Sequence, residues 1–286
     1  MKIIFAKHLG FCAGVRRALI LAKKVLKTGP KPVYFLGDLV HNEKVMEKIT
    51  KWGGKIIGNP NEIKKGSLVL RAHGEILSEE TILNLKKKKI KIFDATCPLV
   101  KKAQNSAILL KKQGFLVLII GDKKHAEVEG IKKAVQNEAI VIENEKDLKK
   151  IIKNISKIKQ KIGIVSQTTQ EVENMNNILN ILKKKFKNLK YLDTLCSEVK
   201  ARQKEIKEII KRADGILVIG SKDSANTKRL VILAEKAKRK TWWINSLKDL
   251  KQIDFFNIKT LGVISGTSAP DWEINKIKKW LLKYKK

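Results

Sequence analysis

The sequence predicts an α/β protein of three pseudo-equivalent α/β units, and three observations point there. Short apolar runs alternate with helix-like stretches, the pattern of parallel sheets covered by helices. One strand type occurs three times: YFLGD at Tyr34–Asp38, LIIGD at Leu118–Asp122 and LVIGS at Leu217–Ser221. All three cysteines hold one place relative to it. Gly37 lies 25 residues after Cys12, Gly121 lies 24 after Cys97, and Gly220 lies 24 after Cys196.

The elements follow in order. Lys2–Ala6 reads as a strand, followed by Cys12 and the helical pattern AGVRRALILAKK. After YFLGD comes a strand at Leu68–Leu70, ending in the polar corner RAHG (Arg71–Gly74). Ile90–Phe93 is a further strand, leading to Cys97. Pro98 suits the first position of a helix, where its missing N–H would have no partner anyway. The second unit repeats this plan with PLVKKAQNSAILLKK, Phe115–Ile120, Ile162–Val165 and the corner SQTTQ (Ser166–Gln170), then a strand before Cys196. The third has SEVKARQKEIKEII, LVIGS, Leu261–Ile264 and the corner SGTSAP (Ser265–Pro270). It closes on a helical stretch, Asp271–Lys285, with no strand behind it. The missing strand is Lys2–Ala6. Three domains are therefore expected: 13–96, 97–195, and 196–286 together with 1–12. In such sheets ligands bind beyond the carboxyl ends of the strands, so each cysteine is expected to point to a common axis.

Composition narrows the class. The 286 residues are 43% apolar, enough for a globular core. No apolar run approaches the ~18 residues of a membrane span. Ile3–Ala6 is too short for the core of a signal peptide, and Lys7 and His8 interrupt it. A cytoplasmic location without a membrane partner is expected. Three cysteines, an odd number in a long chain, argue against a disulfide framework. The formal charge of +34 would fit a nucleic-acid binder, but only seven of the 62 basic residues are Arg. The lysines are scattered and no nucleic-acid motif accompanies them, so no nucleic-acid partner is expected. Such a surface does favour acidic ligands and acidic protein partners.

Three thiols at matched positions point to a metal. A helix N-terminus and nearby cations favour a thiolate. Cations lie about one turn into each helix: Arg16 and Arg17, Lys101 and Lys102, Lys200 and Arg202. Structural zinc usually takes four ligands at short spacing, whereas these cysteines are 85 and 99 residues apart. Catalytic zinc takes three ligands, more often with histidine among them. Iron–sulfur clusters normally take four cysteines; three would leave one iron free to bind substrate.

Polar residues gather at the same strand ends. His41 lies in LVHN, His73 in RAHG and His125 in KKHAEVEG, whereas His8 has no special context. Imidazoles there could bind anions or move protons. The third unit has GSKDSANTKRL (Gly220–Leu230) instead, with Ser224, Asn226 and Thr227 near a helix start, a ready anion cradle. Ser268 lies at the last corner. Glu127 stands two residues after His125, where it could cap the helix or serve as a buried proton donor.

These residues resemble the 4-hydroxy-3-methylbut-2-enyl diphosphate reductases. The resemblance rests on GFCAGVRRA (Gly10–Ala18), VHN (Val40–Asn42), AHG (Ala72–Gly74), FDATCPLV (Phe93–Val100), HAEVEG (His125–Gly130), SQTT (Ser166–Thr169), GSKDSANTKRL and SGTSAPD (Ser265–Asp271), which span nearly the whole chain. It implies a trefoil of three α/β domains around a central [4Fe–4S] cluster held by Cys12, Cys97 and Cys196. It implies substrate contacts from His41, His73, His125, Thr168, Ser224, Ala225, Asn226 and Ser268, and a proton relay through Glu127. It implies an oxidoreductase of the non-mevalonate isoprenoid pathway, fed by an external flavodoxin- or ferredoxin-type electron donor. The reaction would be reductive dehydroxylation to isopentenyl and dimethylallyl diphosphate. The chain departs from the family in places: Ala225 stands where the cradle usually has a second Ser, Ala126 where a Pro is usual, and Glu198-Val199 where Ala-Thr is usual. The alternatives are a basic RNA-binding protein with a structural metal and a zinc hydrolase with Cys/His ligands.

Overall fold

The computed structural model describes residues 1–156 and 161–284. In chain order, the first elements are β1 (Lys2–Phe5), α1 (Ala13–Thr28), β2 (Val33–Leu36), α2 (Glu43–Lys51), β3 (Gly54–Ile57), β4 (Ser67–Leu70), α3 (Glu79–Lys87) and β5 (Lys91–Asp94). Next come α4 (Pro98–Lys112), β6 (Phe115–Ile120), α5 (Ala126–Ala134), β7 (Ala139–Ile142), α6 (Glu145–Ser156), β8 (Lys161–Ser166), α7 (Val172–Lys185) and β9 (Leu189–Tyr191). The last are α8 (Ser197–Ile210), β10 (Gly215–Ile219), α9 (Ala225–Lys236), β11 (Lys240–Ile244), α10 (Leu247–Leu250), β12 (Thr260–Ser265) and α11 (Asp271–Lys283).

The strands form three four-stranded sheets of one plan, ordered β3-β2-β4-β5, β7-β6-β8-β9 and β11-β10-β12-β1. Every pairing in them is parallel. The third sheet takes its fourth strand from the N-terminus: Lys2–Phe5 pairs with Thr260–Val263. The strand missing after α11 is thus supplied by β1, as the repeat predicts.

Two compact units form. One comprises Met1–Leu19, Val40–Trp52 and Ser197–Lys286, the other Ile20–Leu39 and Gly53–Cys196. The first holds the sheet that includes β1; the second holds the other two. The inner strands β4, β6, β8, β10 and β12 are buried on both faces, so they run nearly continuously apolar rather than alternating, whereas edge strands such as β3 and β5 carry exposed Lys55 and Lys91. In β10, Ile216 and Val218 face one core with Ile206, Leu230 and Ile264, and Leu217 and Ile219 face another with Leu261, Val263, Ile274 and Leu281. In β6, Leu118 and Ile120 pack with Ile178 and Leu182, while Val117 and Ile119 pack with Ala107, Leu110 and Ile131. Each such side chain contributes about 1.5–3 kcal/mol by leaving water.

The repeat extends to single hydrogen bonds. Gly37, Gly121 and Gly220 each donate their N–H to the last residue of the neighbouring strand, Ile57, Ile142 and Ile244, at 2.9, 3.0 and 2.8 Å. Gly37 sits at φ +66°, a left-handed corner that glycine enters at no steric cost.

Candidate active site

Each cysteine sits immediately before a helix, at the predicted corner. The N–H of Cys12 donates to Thr267 O at 2.9 Å, that of Cys97 to Ala72 O at 3.0 Å, and that of Cys196 to Thr168 O at 2.9 Å. The acceptors lie in the corners SGTSAP, RAHG and SQTTQ. One local arrangement is therefore built three times, each with a thiol at a helix start. The Cys12 sulfur accepts the Val15 N–H at 3.4 Å, acting as the cap of α1. None of the three is in a disulfide, and all are partly exposed.

The unit containing Cys97 and Cys196 brings His73, His125, Glu127 and Thr168 together. The His73 and His125 rings meet edge to face, with centroids 5.9 Å apart. His125 caps α5, its Nδ1 accepting the Glu127 N–H at 3.1 Å. Glu127 is only 1% exposed. Its carboxylate accepts the Thr168 N–H at 2.6 Å and the Thr168 hydroxyl at 2.9 Å. The capping function of the carboxylate is thus taken by His125, and Glu127 is held by Thr168, the residue whose carbonyl anchors Cys196. A carboxyl buried on two fixed donors is confined to one orientation.

The unit containing Cys12 holds the rest of the expected polar set. His41 precedes Asn42, which caps α2, and the Ser268 hydroxyl donates to His41 O at 3.1 Å. Ser224 caps α9, its Oγ accepting the Thr227 N–H at 3.3 Å, so its own proton remains to donate. Ala225 is the first residue of α9, where N–H groups lack intrahelical partners. Asn226 is 2% exposed, and neither its Oδ1 nor its Nδ2 has a partner among the described residues. A buried amide left in this state costs about 1–3 kcal/mol. An anion bound at this helix N-terminus would give the amide the partner it lacks.

Three of the six cations expected beside the thiols have partners elsewhere. Arg16 pairs with Asp271, and Lys101 lies 3.9 Å from Asp94. Arg202 is 1% exposed and braces backbone carbonyls: Gly10 O at 2.8 Å, Ser265 O at 2.8 Å and Gly266 O at 3.4 Å. Its neighbours in sequence gave no sign of this, because the partners lie some 60 and 190 residues away. Glu198, one of the departures from the resemblance, accepts the Ala13 N–H at 3.0 Å and so caps the helix that Cys12 precedes. His8 is exposed and pairs with Glu205 at 3.0 Å.

Within the described residues no group of three or more His, Cys, Asp or Glu side chains converges on a single metal ion. A cubane takes one thiolate per iron, and three thiols at helix starts suit it in chemistry. No helix among the described residues is long and apolar enough to cross a membrane.

Comparison with known proteins agrees with these features. The chain is 41% identical over 271 residues to a 4-hydroxy-3-methylbut-2-enyl diphosphate reductase of Dictyoglomus turgidum, covering 95% of this chain and 93% of that one. It is 34% identical over 288 residues to the enzyme of the same name from Campylobacter lari, covering 100% and 99%. Among solved structures it is similar to the E-1-hydroxy-2-methyl-but-2-enyl-4-diphosphate reductase of Plasmodium falciparum. The TM-score there is 0.90 at 29% identity, over 99% of this chain and 89% of the other. A second structure, of (E)-4-hydroxy-3-methyl-but-2-enyl diphosphate reductase, the terminal enzyme of the non-mevalonate pathway, gives a TM-score of 0.69 at 32% identity, over 99% and 100%. Residues 3–282 match the family described as LytB protein, and with relatives this similar over nearly their full length the chain belongs to that family.

Proposed function

We propose that this chain is a 4-hydroxy-3-methylbut-2-enyl diphosphate reductase, completing the non-mevalonate route to isoprenoid precursors. The carbon–oxygen bond at the hydroxymethyl end is cleaved, two electrons and two protons are consumed, and water leaves. The products are isopentenyl and dimethylallyl diphosphate. The observation that carries this reading is the thiol corner repeated three times, in a chain of this family.

Cys12, Cys97 and Cys196 would hold a [4Fe–4S] cluster. When bound, it supplies electrons and an iron without a protein ligand. The chain's own groups do the rest. Ser224, the N–H of Ala225, Asn226 and Ser268 receive the diphosphate, the helix N-terminus of α9 adding its positive end. His41, His73 and His125 orient the substrate between its diphosphate and its hydroxymethyl end. Glu127, held by Thr168, delivers a proton to the departing oxygen. Electrons come singly from a flavodoxin- or ferredoxin-type protein, an acidic partner for a chain of charge +34. The repeats 13–96, 97–195 and 196–286 with 1–12 act as three domains, and the enzyme works in the cytoplasm.

The test is strictly anaerobic purification, with iron and sulfide counted per chain and turnover measured with a chemical reductant. About four of each, with conversion of the diphosphate alcohol, is expected. Zinc in their place, or no metal and no turnover after reconstitution, overturns the assignment.

A further inference from the structure

Gln104 is a polar side chain in the wrong place by its sequence pattern. On α4 the inward stripe is Val100, Ala103, Gln104, Ala107 and Leu110, and Gln104 is 3% exposed. A buried amide is tolerated only if hydrogen-bonded. Its Nε2 donates to Gly74 O at 2.8 Å. Gly74 follows His73 directly and sits at φ +84°, so the corner depends on its lack of a side chain.

Three elements meet at that amide: α4, which starts after Cys97; the RAHG corner, which carries His73; and α5, which carries Glu127 and is capped by His125. The approach is close. A Cβ on Gly74 would run into Val100 and the Gln104 amide, and one on Gly130 of α5 would fall on the Gly74 carbonyl oxygen. On the far side of the corner, Arg71 pairs with Glu75, and Glu75 with Lys133 of α5 at 3.0 Å. His73 therefore lies between Ala72, whose carbonyl accepts from Cys97, and Gly74, whose carbonyl accepts from Gln104.

We infer that Gln104 is a positioning residue, which sets His73 against His125 by pinning the Gly74 carbonyl. This rests on the reading that those histidines bind substrate. Without the amide, the Gly74 carbonyl is orphaned, and the corner keeps the hydrogen bonds of Ala72 to Leu39 and Cys97 and the partly exposed Arg71–Glu75–Lys133 set, none of which fixes Gly74 O.

The test uses Gln104→Met, which keeps the bulk and removes the donor. Two quantities are read: KM and kcat of the reconstituted enzyme, and the imidazole resonances of His73 and His125. Losing one buried hydrogen bond should raise KM about tenfold with kcat little changed, and the His73 resonance should move. Gln104→His keeps an N–H donor and should restore both. A folded Gln104→Met with wild-type KM and an unmoved His73 resonance overturns the inference. Gln104→Glu is the second variant: protonated it donates to Gly74 O, ionised it repels it. At low pH, where burial keeps it protonated, its KM should return toward the wild-type value, and a KM still raised about tenfold there overturns the inference equally. His73→Ala is run in parallel. Wild-type KM in that variant would sink the substrate role of His73, while the His73 and His125 resonances of the Gln104 variants would still decide the positioning.

Discussion

Thr168 grips both oxygens of Glu127, its N–H on Oε1 at 2.6 Å and its hydroxyl on Oε2 at 2.9 Å. Glu127→Gln should preserve this grip, since an amide can accept the N–H and donate to the hydroxyl oxygen. The expected outcome is normal iron content, normal substrate binding and turnover lowered at least a hundredfold, the usual scale of a lost proton donor. Thr168→Val keeps the N–H and loses only the hydroxyl, so a fall of about tenfold is expected. Single-turnover kinetics on both variants checks the order; full activity in Glu127→Gln rules out the relay.

Asn226 predicts an exchange of stability for binding. Asn226→Leu, similar in size, removes a buried amide with no partner among the described residues. Thermal melting without substrate should occur a few degrees higher, from about 1 kcal/mol gained. KM for the diphosphate substrate should rise at least tenfold, as one hydrogen-bonding group is lost. A lower melting point would mean that the amide supports the fold.

Glu75 makes part of the stability dependent on pH. Burial pushes its carboxyl up, but hydrogen bonds and charges from Lys133 and Arg71 outweigh this and hold it below its ordinary 4.5. A lowered folded-state value means that the unfolded chain takes up protons first. The contribution is complete above 4.5 and is lost as pH falls through the folded value. With Arg71 and Lys133 partly exposed and screened by solvent, it amounts to about 1 kcal/mol or less. Urea unfolding at pH 7 and pH 4 should show a loss that is smaller in Glu75→Gln.

Arg202 should not tolerate even Lys. Its guanidinium spans the carbonyls of Gly10 and Ser265 with two nitrogens, a fork that an ammonium cannot reproduce. Arg202→Lys is expected to cost about 3 kcal/mol, read by denaturant unfolding. A loss under 1 kcal/mol would show that the brace is dispensable.

The fold was legible because its signals are local and repeated. Apolar runs set the strands, and the spacing from cysteine to glycine set their equivalence. The absence of a strand after α11 pointed to β1. The expected site residues within each compact unit lie at strand ends and helix starts, where Gly, Ser, Asn and His are read easily. Partnerships across long stretches of chain were not legible. Arg202 was read as a cation for a thiol and is a brace for carbonyls. Gln104 carries no signal in the sequence, because periodicity gives the inward face but not the carbonyl waiting there. Glu198 was noted as a departure, and only the fold shows it capping α1.

The place of β1 in the third sheet has a consequence for how the protein is made. Lys2 pairs with Thr260, so β1 leaves the ribosome long before β12, its partner, and must wait for it. At roughly 5–20 residues per second that delay is on the order of ten seconds to a minute. The Cys12 corner waits longer still, for its partner Thr267, while Cys97 and Cys196 find theirs, Ala72 and Thr168, much earlier. The Cys12 corner is therefore the last of the three to be completed, and a group held by all three thiols can be loaded only after Thr267 has been made.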